Sequence, residues 1–96
     1  MHAFVVFQEN LHDQAKFDAY RKVVMPTLAA FEGKIIVRSG QFTIIEGVWP
    51  FGRTVIIEFP SRAAAEAWYG SPAYQAILPL RLQSMTCNAI IVDGAD

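Results

Sequence analysis

The chain has 96 residues, of which 53% are hydrophobic and 18% are charged, and its formal net charge is −1. This length predicts a single domain over residues 1–96, and the lack of a basic block disfavours nucleic acid and anionic membranes as partners. Cys87 is the one cysteine and no signal-peptide pattern is evident, so the sequence favours a reducing compartment, the cytoplasm.

Residues 2–8 form an apolar run that predicts the first strand, and a helix follows it. The helix begins near Asp13, a residue type that caps helices well. Its core-facing residues recur at spacings of three and four: Phe17, Tyr20, Val24, Leu28 and Phe31. Pro26 predicts a kink, and Gly33 is placed to end the helix in a left-handed conformation.

The middle of the chain predicts one long strand followed by a hairpin. The strand begins near Lys34, bends or bulges at Gly40 and resumes over residues 42–46. Residues 47–52 contain two glycines and a proline, which suit a turn into the next strand at residues 54–59.

Two short helices and a last strand complete the pattern. Ser61 is expected to cap the first of these helices, which ends near Tyr69, and Ser71-Pro72 opens the second. The inner side of the second helix carries Tyr74, Ile77 or Leu78, Arg81 or Leu82, and Met85, and Pro79 is expected to bend it. The last strand runs from about Cys87 to Asp93.

The order βαββαβ with right-handed crossovers predicts an α+β fold, the ferredoxin-like antiparallel sheet with helices on one face. Several strands have no polar face; residues 89–92, for example, read Ala-Ile-Ile-Val. One layer of helices covers only one side of such a sheet. We therefore expect a homodimer through the other sheet face, which makes a dimeric α+β barrel.

Several segments together resemble a known family. They are Tyr20–Lys22, Arg38–Gly40, Glu46–Pro50, Arg53–Ser61, Ala67–Tyr69, Ser71–Tyr74 and Leu80–Arg81. With them the chain resembles, over nearly its whole length, the bacterial domain-of-unknown-function family numbered 1330. The most specific parts are Glu58–Ser61 and Trp68–Tyr74.

The resemblance implies the dimeric α+β barrel superfamily, which includes cofactor-free monooxygenases, small isomerases, heme-handling proteins and ligand-binding regulator domains. It also implies a cavity between the helices and the sheet. The chemistry of the family itself is unassigned. The first strand of such proteins often ends in an acidic residue, where this chain has Gln8.

Glu58 is the candidate catalytic residue, because it interrupts an otherwise apolar strand. A buried carboxylate needs a partner or a shifted pKa, so Glu58 is either a general base or ligand anchor, or one half of a structural ion pair. The expected partner in the second case is Arg81 or Arg38.

Four further residues are candidate ligand-binding residues. Arg81 and Arg38 are able to hold a carboxylate, and they are equally able to pair with an acidic side chain. Tyr20 and Tyr74 lie on core-facing stripes, where each either packs in the core or lines the cavity.

No motif for a metal, nucleotide or flavin is present, and neither His2 nor His12 has a partner at metal-ligand spacing. We therefore expect no cofactor and no metal. The sequence leaves open whether the protein is an enzyme. One hypothesis is a cofactor-independent enzyme acting on a small organic acid or aromatic metabolite, and the alternative is a non-catalytic ligand-binding or assembly module.

Overall fold

A computed structural model describes residues 1–95, and over these residues the chain forms four strands and three helices. The elements are β1 (Ala3–Leu11), α1 (Gln14–Ala29), β2 (Lys34–Ser39), β3 (Arg53–Phe59), α2 (Arg62–Gly70), α3 (Pro72–Ser84) and β4 (Met85–Asp93). The strands make one antiparallel sheet in the order β2-β3-β1-β4. This confirms the predicted α+β, ferredoxin-like fold. None of the helices within residues 1–95 is long and apolar enough to cross a membrane.

The alternating burial of residues along the central strand β1 distinguishes the two faces of the sheet. Ala3, Val5 and Phe7 are buried towards the helices, whereas Phe4 and Val6 alternate with them and stay partly exposed on the other side. This two-residue alternation is what a strand's pleat produces. The helix side of the sheet therefore forms the core, and the opposite side is apolar but uncovered within one chain.

Aromatic packing holds α2 and α3 to the rest of the core. The rings of Trp68 and Tyr74 are fully buried, with their centroids 4.1 Å apart. The indole Nε1 of Trp68 donates a hydrogen bond to Thr27 Oγ1 at 3.1 Å, so the polar atom of this large side chain is satisfied.

Three helix starts lie where the sequence predicts them. Asp13 accepts a hydrogen bond from the backbone of Lys16, and Ser61 accepts one from the backbone of Ala64. Ser71 caps α3, whose first residue is Pro72. These caps depend only on residues three positions apart, which is why local sequence predicts them.

The end of α1 differs from its prediction. The left-handed residue is Glu32, with φ of 60°, and not Gly33. Gly33 has a different reason to lack a side chain, because a Cβ there would lie 2.7 Å from the ring of Phe59. The glycine thus permits a close approach of the backbone to the core.

The long second strand is also a wrong prediction. β2 ends at Ser39, its irregularity lies between Ile35 and Val37 and not at Gly40, and residues 42–46 are not a strand. The neighbouring strand β3 begins at Arg53, so the chain beyond Ser39 passes the end of its only partner. Without a partner strand the backbone has no ladder to join.

Candidate functional site

A small cavity lies between α1, α3 and the helix side of the sheet. Its volume is about 50 Å³, enough for one or two water molecules. Its apolar wall comes chiefly from α1 and β3, and its polar side chains come from α1, α3 and every strand except β4. The polar and charged lining residues are Glu9, Tyr20, Arg21, Arg38, Arg53 and Arg81.

Glu9 is the buried acid of this cavity, with only 4% of its surface exposed. Arg53 Nε lies 3.1 Å from Glu9 Oε1, which makes an ion pair by distance. The N–H is not aligned with the oxygen, however, and neither atom has a hydrogen-bond partner within residues 1–95. Burial raises the pKa of the Glu9 carboxyl, and the charges of Arg53 and Arg81 only partly oppose this.

A chain of hydrogen bonds backs the cavity. The hydroxyls of Tyr20 and Tyr74 are 2.9 Å apart, and Arg81 Nε donates to the Tyr74 hydroxyl at 3.1 Å. Burial raises the pKa of both phenols, so both stay neutral at physiological pH. The arrangement presents O–H and N–H groups, which stabilise negative charge on a neighbouring molecule.

Arg81 is held firmly within this network. Besides Tyr74, its guanidinium donates to Cys87 Sγ at 2.8 Å and lies 4.9 Å from the centroid of the Phe7 ring. Burial works to lower the pKa of Arg81, but Tyr74, Cys87 and Tyr20 outweigh it and the net direction is upward. Arg81 therefore keeps its charge inside the core.

Local sequence explains how these residues meet. Tyr20 shares the inner face of α1 with Phe17 and Val24, and Tyr74 and Arg81 are seven residues apart on α3, two helical turns. The alternation of β1 places Glu9 on the same side as Phe7.

Three of the predicted site residues, Tyr20, Arg38 and Arg81, line the cavity. Tyr74 lies behind the wall, bonded to Tyr20 and Arg81. Cys87 is partly buried and accepts a hydrogen bond from Arg81.

Glu58 does not face the cavity. It lies on the opposite side of the sheet, half-buried, and pairs with His2 Nδ1 at 3.1 Å. The predicted ion pair between Glu58 and an arginine is therefore wrong. The reason is the alternation of β3, in which Val55 and Ile57 face the helices and Glu58 faces away from Arg81.

Sequence reasoning missed Glu9 and Arg53. The first strand was predicted to end at Gln8, but β1 continues to Leu11. Every second residue of β1 faces the core, so after Val5 and Phe7 the next core-facing residue is Glu9, which directly follows Gln8. Arg53 gave no comparable signal, because its place opposite Glu9 depends on the pairing of β1 with β3.

The fold is shared with solved structures of low sequence identity. A protein of unknown function from Rhodopseudomonas palustris has a TM-score of 0.78 and 16% identity, with coverage of 99% of this chain and 83% of that chain. A dimeric ferredoxin-like protein of unknown function from Bacteroides fragilis has a TM-score of 0.62 and 10% identity, with coverage of 97% and 96%.

A third similar structure has a described activity. SnoaB, a cofactor-independent oxygenase from Streptomyces nogalater, has a TM-score of 0.66 and 12% identity, with coverage of 99% of this chain and 94% of that chain. At such identities the likeness concerns the fold alone. No curated protein matches this chain in sequence.

The resemblance seen in the sequence is confirmed by a family model that matches residues 2–95, nearly the whole chain. The chain therefore belongs to the family described as "Domain of unknown function (DUF1330)".

Proposed function

We propose that the protein is a cofactor-independent enzyme that moves a proton on a small organic acid or aromatic metabolite bound at the cavity, with Glu9 as the proton acceptor. One observation carries this proposal. Glu9 is a buried carboxylate that borders the cavity, and its Oε1 lies 3.1 Å from Arg53 Nε without an aligned hydrogen bond. Buried carboxyls with a raised pKa are typical of general bases.

The proposed step is a simple proton transfer. The Glu9 carboxylate removes a proton from an acidic C–H or a phenolic O–H of the substrate, which leaves protonated Glu9 and a substrate anion. Arg81 and Tyr20 offer N–H and O–H groups to the oxygen on which that negative charge gathers. The proton then returns to the same or a neighbouring atom. Alternatively, dioxygen accepts the electron pair of the anion in a new C–O bond, and the peroxide formed takes the proton back from Glu9 to give a hydroperoxide. The oxygenase SnoaB shows that this fold supports chemistry without a cofactor.

The test uses exchange of hydrogen for deuterium. Enolisable carboxylic acids and phenols, phenylpyruvate among them, are incubated with the protein in D₂O, and loss of C–H signals is followed by NMR. We expect Glu9→Gln to lower the exchange rate by about 10²-fold or more, since an amide does not accept the proton. Glu58→Gln is the matched control, because Glu58 faces the other side of the sheet. Exchange that survives in Glu9→Gln, or that Glu58→Gln removes, contradicts the proposal.

A non-catalytic ligand-binding or assembly module is the second candidate, and the small cavity favours the assembly role, which needs no metabolite inside the chain. Phe17 and Tyr20 occupy much of the space, and about 50 Å³ remains. A metabolite enters only if these side chains move. The ligand-binding form of this alternative is the better one if the same compounds raise the melting temperature of the wild type but not of Arg81→Ala, with neither deuterium exchange nor oxygen uptake.

The proposal includes a homodimer in which residues 1–96 act as one dimeric α+β barrel domain. Support comes from the uncovered sheet face, where Ile56, Val6 and Ile90 form a row across three strands. Ile90 is 58% exposed in the single chain. Ile45 and Val48, beyond the end of β2, are also largely exposed and add apolar surface. Similar structures are described as dimeric ferredoxin-like proteins.

A further inference from the structure

An open groove of about 490 Å³ lies on the helix side, between α1 and β2. Three of its lining residues, Arg21, Lys22 and Arg38, carry a positive charge. These three residues are the groove cations. The ion pairs found within residues 1–95 involve none of them.

One carboxylate, Asp18, borders the same groove. It accepts a hydrogen bond from Gln14 one turn earlier on α1, at 2.9 Å. Three cations against one carboxylate is a local excess of positive charge in a chain whose net charge is −1. Such a concave surface attracts anions more strongly than scattered surface charges do.

The groove and the cavity adjoin, because Arg21 and Arg38 line both of them. A molecule that extends from the cavity towards the groove meets these two side chains. The guanidinium of Arg21 lies 5.7 Å from the centroid of the Phe17 ring, at the boundary between the charged groove and the apolar wall.

The interior is a poorer place for a ligand carboxylate than the groove. Arg81 already donates to Tyr74 and Cys87, and Arg53 already pairs with Glu9. A second carboxylate beside Glu9 would be repelled by it in a site with little water. Arg38 is in none of the ion pairs found within residues 1–95, and it is exposed to water.

We infer that the groove cations bind the anionic group of the ligand outside the cavity, so that the ligand is an amphipathic anion with its apolar or aromatic end turned towards Glu9. This inference rests on the proposed function and narrows its substrate class. It places the anion anchor on Arg38 and Arg21 at the mouth, and not on Arg81 in the interior. A single carboxylate is held by these two arginines, and a longer or doubly charged head group reaches Lys22.

The test compares two probes that differ only in charge, 3-phenylpropionate and its neutral amide, 3-phenylpropionamide. Their affinities for the wild type are measured by calorimetry at low and at physiological ionic strength. We expect the wild type to prefer the carboxylate by about tenfold or more at low salt, the size of one charge-assisted hydrogen bond. Added salt should reduce the preference, since the groove is open to water.

Two variants complete the experiment. Arg21→Gln/Arg38→Gln should abolish the preference for the carboxylate, so that both probes bind this variant with the same affinity. Arg62→Gln removes an arginine on α2 whose charge is already paired with Glu66 and Asp93, and should retain the preference. All three are exposed, so the folded state should tolerate the changes.

The possible outcomes separate the inference from the function beneath it. Equal affinity of both probes for the wild type, or a preference that survives in the double variant, overturns the groove inference and leaves the cavity proposal standing. If Arg62→Gln loses the preference for the carboxylate to the same extent as the double variant, the groove inference is overturned as well, because the preference then reflects the net charge of the protein. Failure of both probes to bind the wild type counts against the cavity proposal itself.

Discussion

At the scale of single residues, Glu9 is distinctive because its charge is buried and incompletely satisfied. Its Oε1 lies 3.1 Å from Arg53 Nε without an aligned hydrogen bond. Desolvation is the largest influence on its pKa and moves it upward from 4.5. In its charged form such a buried group lowers the free energy of unfolding, and this loss of stability is measurable.

The raised pKa predicts a pH dependence of stability. From pH 4.5 up to the pKa of Glu9 in the folded protein, the native state binds more protons than the unfolded state, so the contribution of Glu9 to stability falls as pH rises. Glu9→Gln has no such titration. We expect the stability of the variant relative to the wild type to increase through this window, with a flat difference at lower pH. Urea unfolding of both proteins across the window measures it, and a difference that stays constant or decreases contradicts the assignment.

At the scale of secondary-structure elements, the joint between α1 and β2 is closely packed. Gly33 lies between the end of the helix and the strand, and a Cβ there would meet Phe59 at 2.7 Å and Leu28 at 3.0 Å. Both neighbours are buried core residues. The spacing of the helix layer from the sheet at this end of the molecule thus depends on a missing side chain.

Gly33→Ala should destabilise the protein by about 1–3 kcal/mol, because the added methyl group forces buried side chains to move. Gly70→Ala is the matched control. Gly70 is the last residue of α2 and a Cβ there would meet nothing within 4 Å, so the same change should be neutral or stabilising by about 0.4–1 kcal/mol. Chemical denaturation measures both values. If Gly33→Ala were as stable as Gly70→Ala, the buried side chains around Gly33 would accommodate the methyl group without loss of stability, which would contradict the prediction.

At the scale of the whole molecule, the proposed dimer follows from an apolar sheet face that nothing covers in one chain. Val6 lies at its centre, paired with Ile56 on β3 and Ile90 on β4. Burying about 800 Å² per partner is ordinary for a stable complex. The cavity lies on the other side of the sheet, so dimerisation through this face leaves the groove open.

Light scattering at micromolar concentration should give twice the mass of the chain. Val6→Glu should give a monomer or a protein that fails to fold, since the interface would contain an unpaired charge. Val23→Glu is the control, because Val23 is 40% exposed on α1, away from the sheet face, and it should remain a dimer. A wild type with the mass of one chain, or a dimer that survives in Val6→Glu, would contradict the proposed interface.

The sequence by itself determined the order of the strands and helices, and hence the fold, together with three helix caps, because these depend on short-range patterns. Asp13, Ser61 and Ser71 cap helices through bonds to residues three positions away. The spacing of Tyr20, Tyr74 and Arg81 was enough to place them on inner helix faces.

Only the tertiary structure decided which charged residues share a site. Glu9 and Arg53 are far apart in the chain and meet because β1 pairs with β3 in one register. Neighbouring residues of a strand point to opposite faces of the sheet. Ile57 faces the helices, so Glu58 faces away from them and pairs with His2 and not with Arg81. The end of β2 was likewise decided by the partner strand, because a strand extends only as far as a neighbour offers hydrogen bonds.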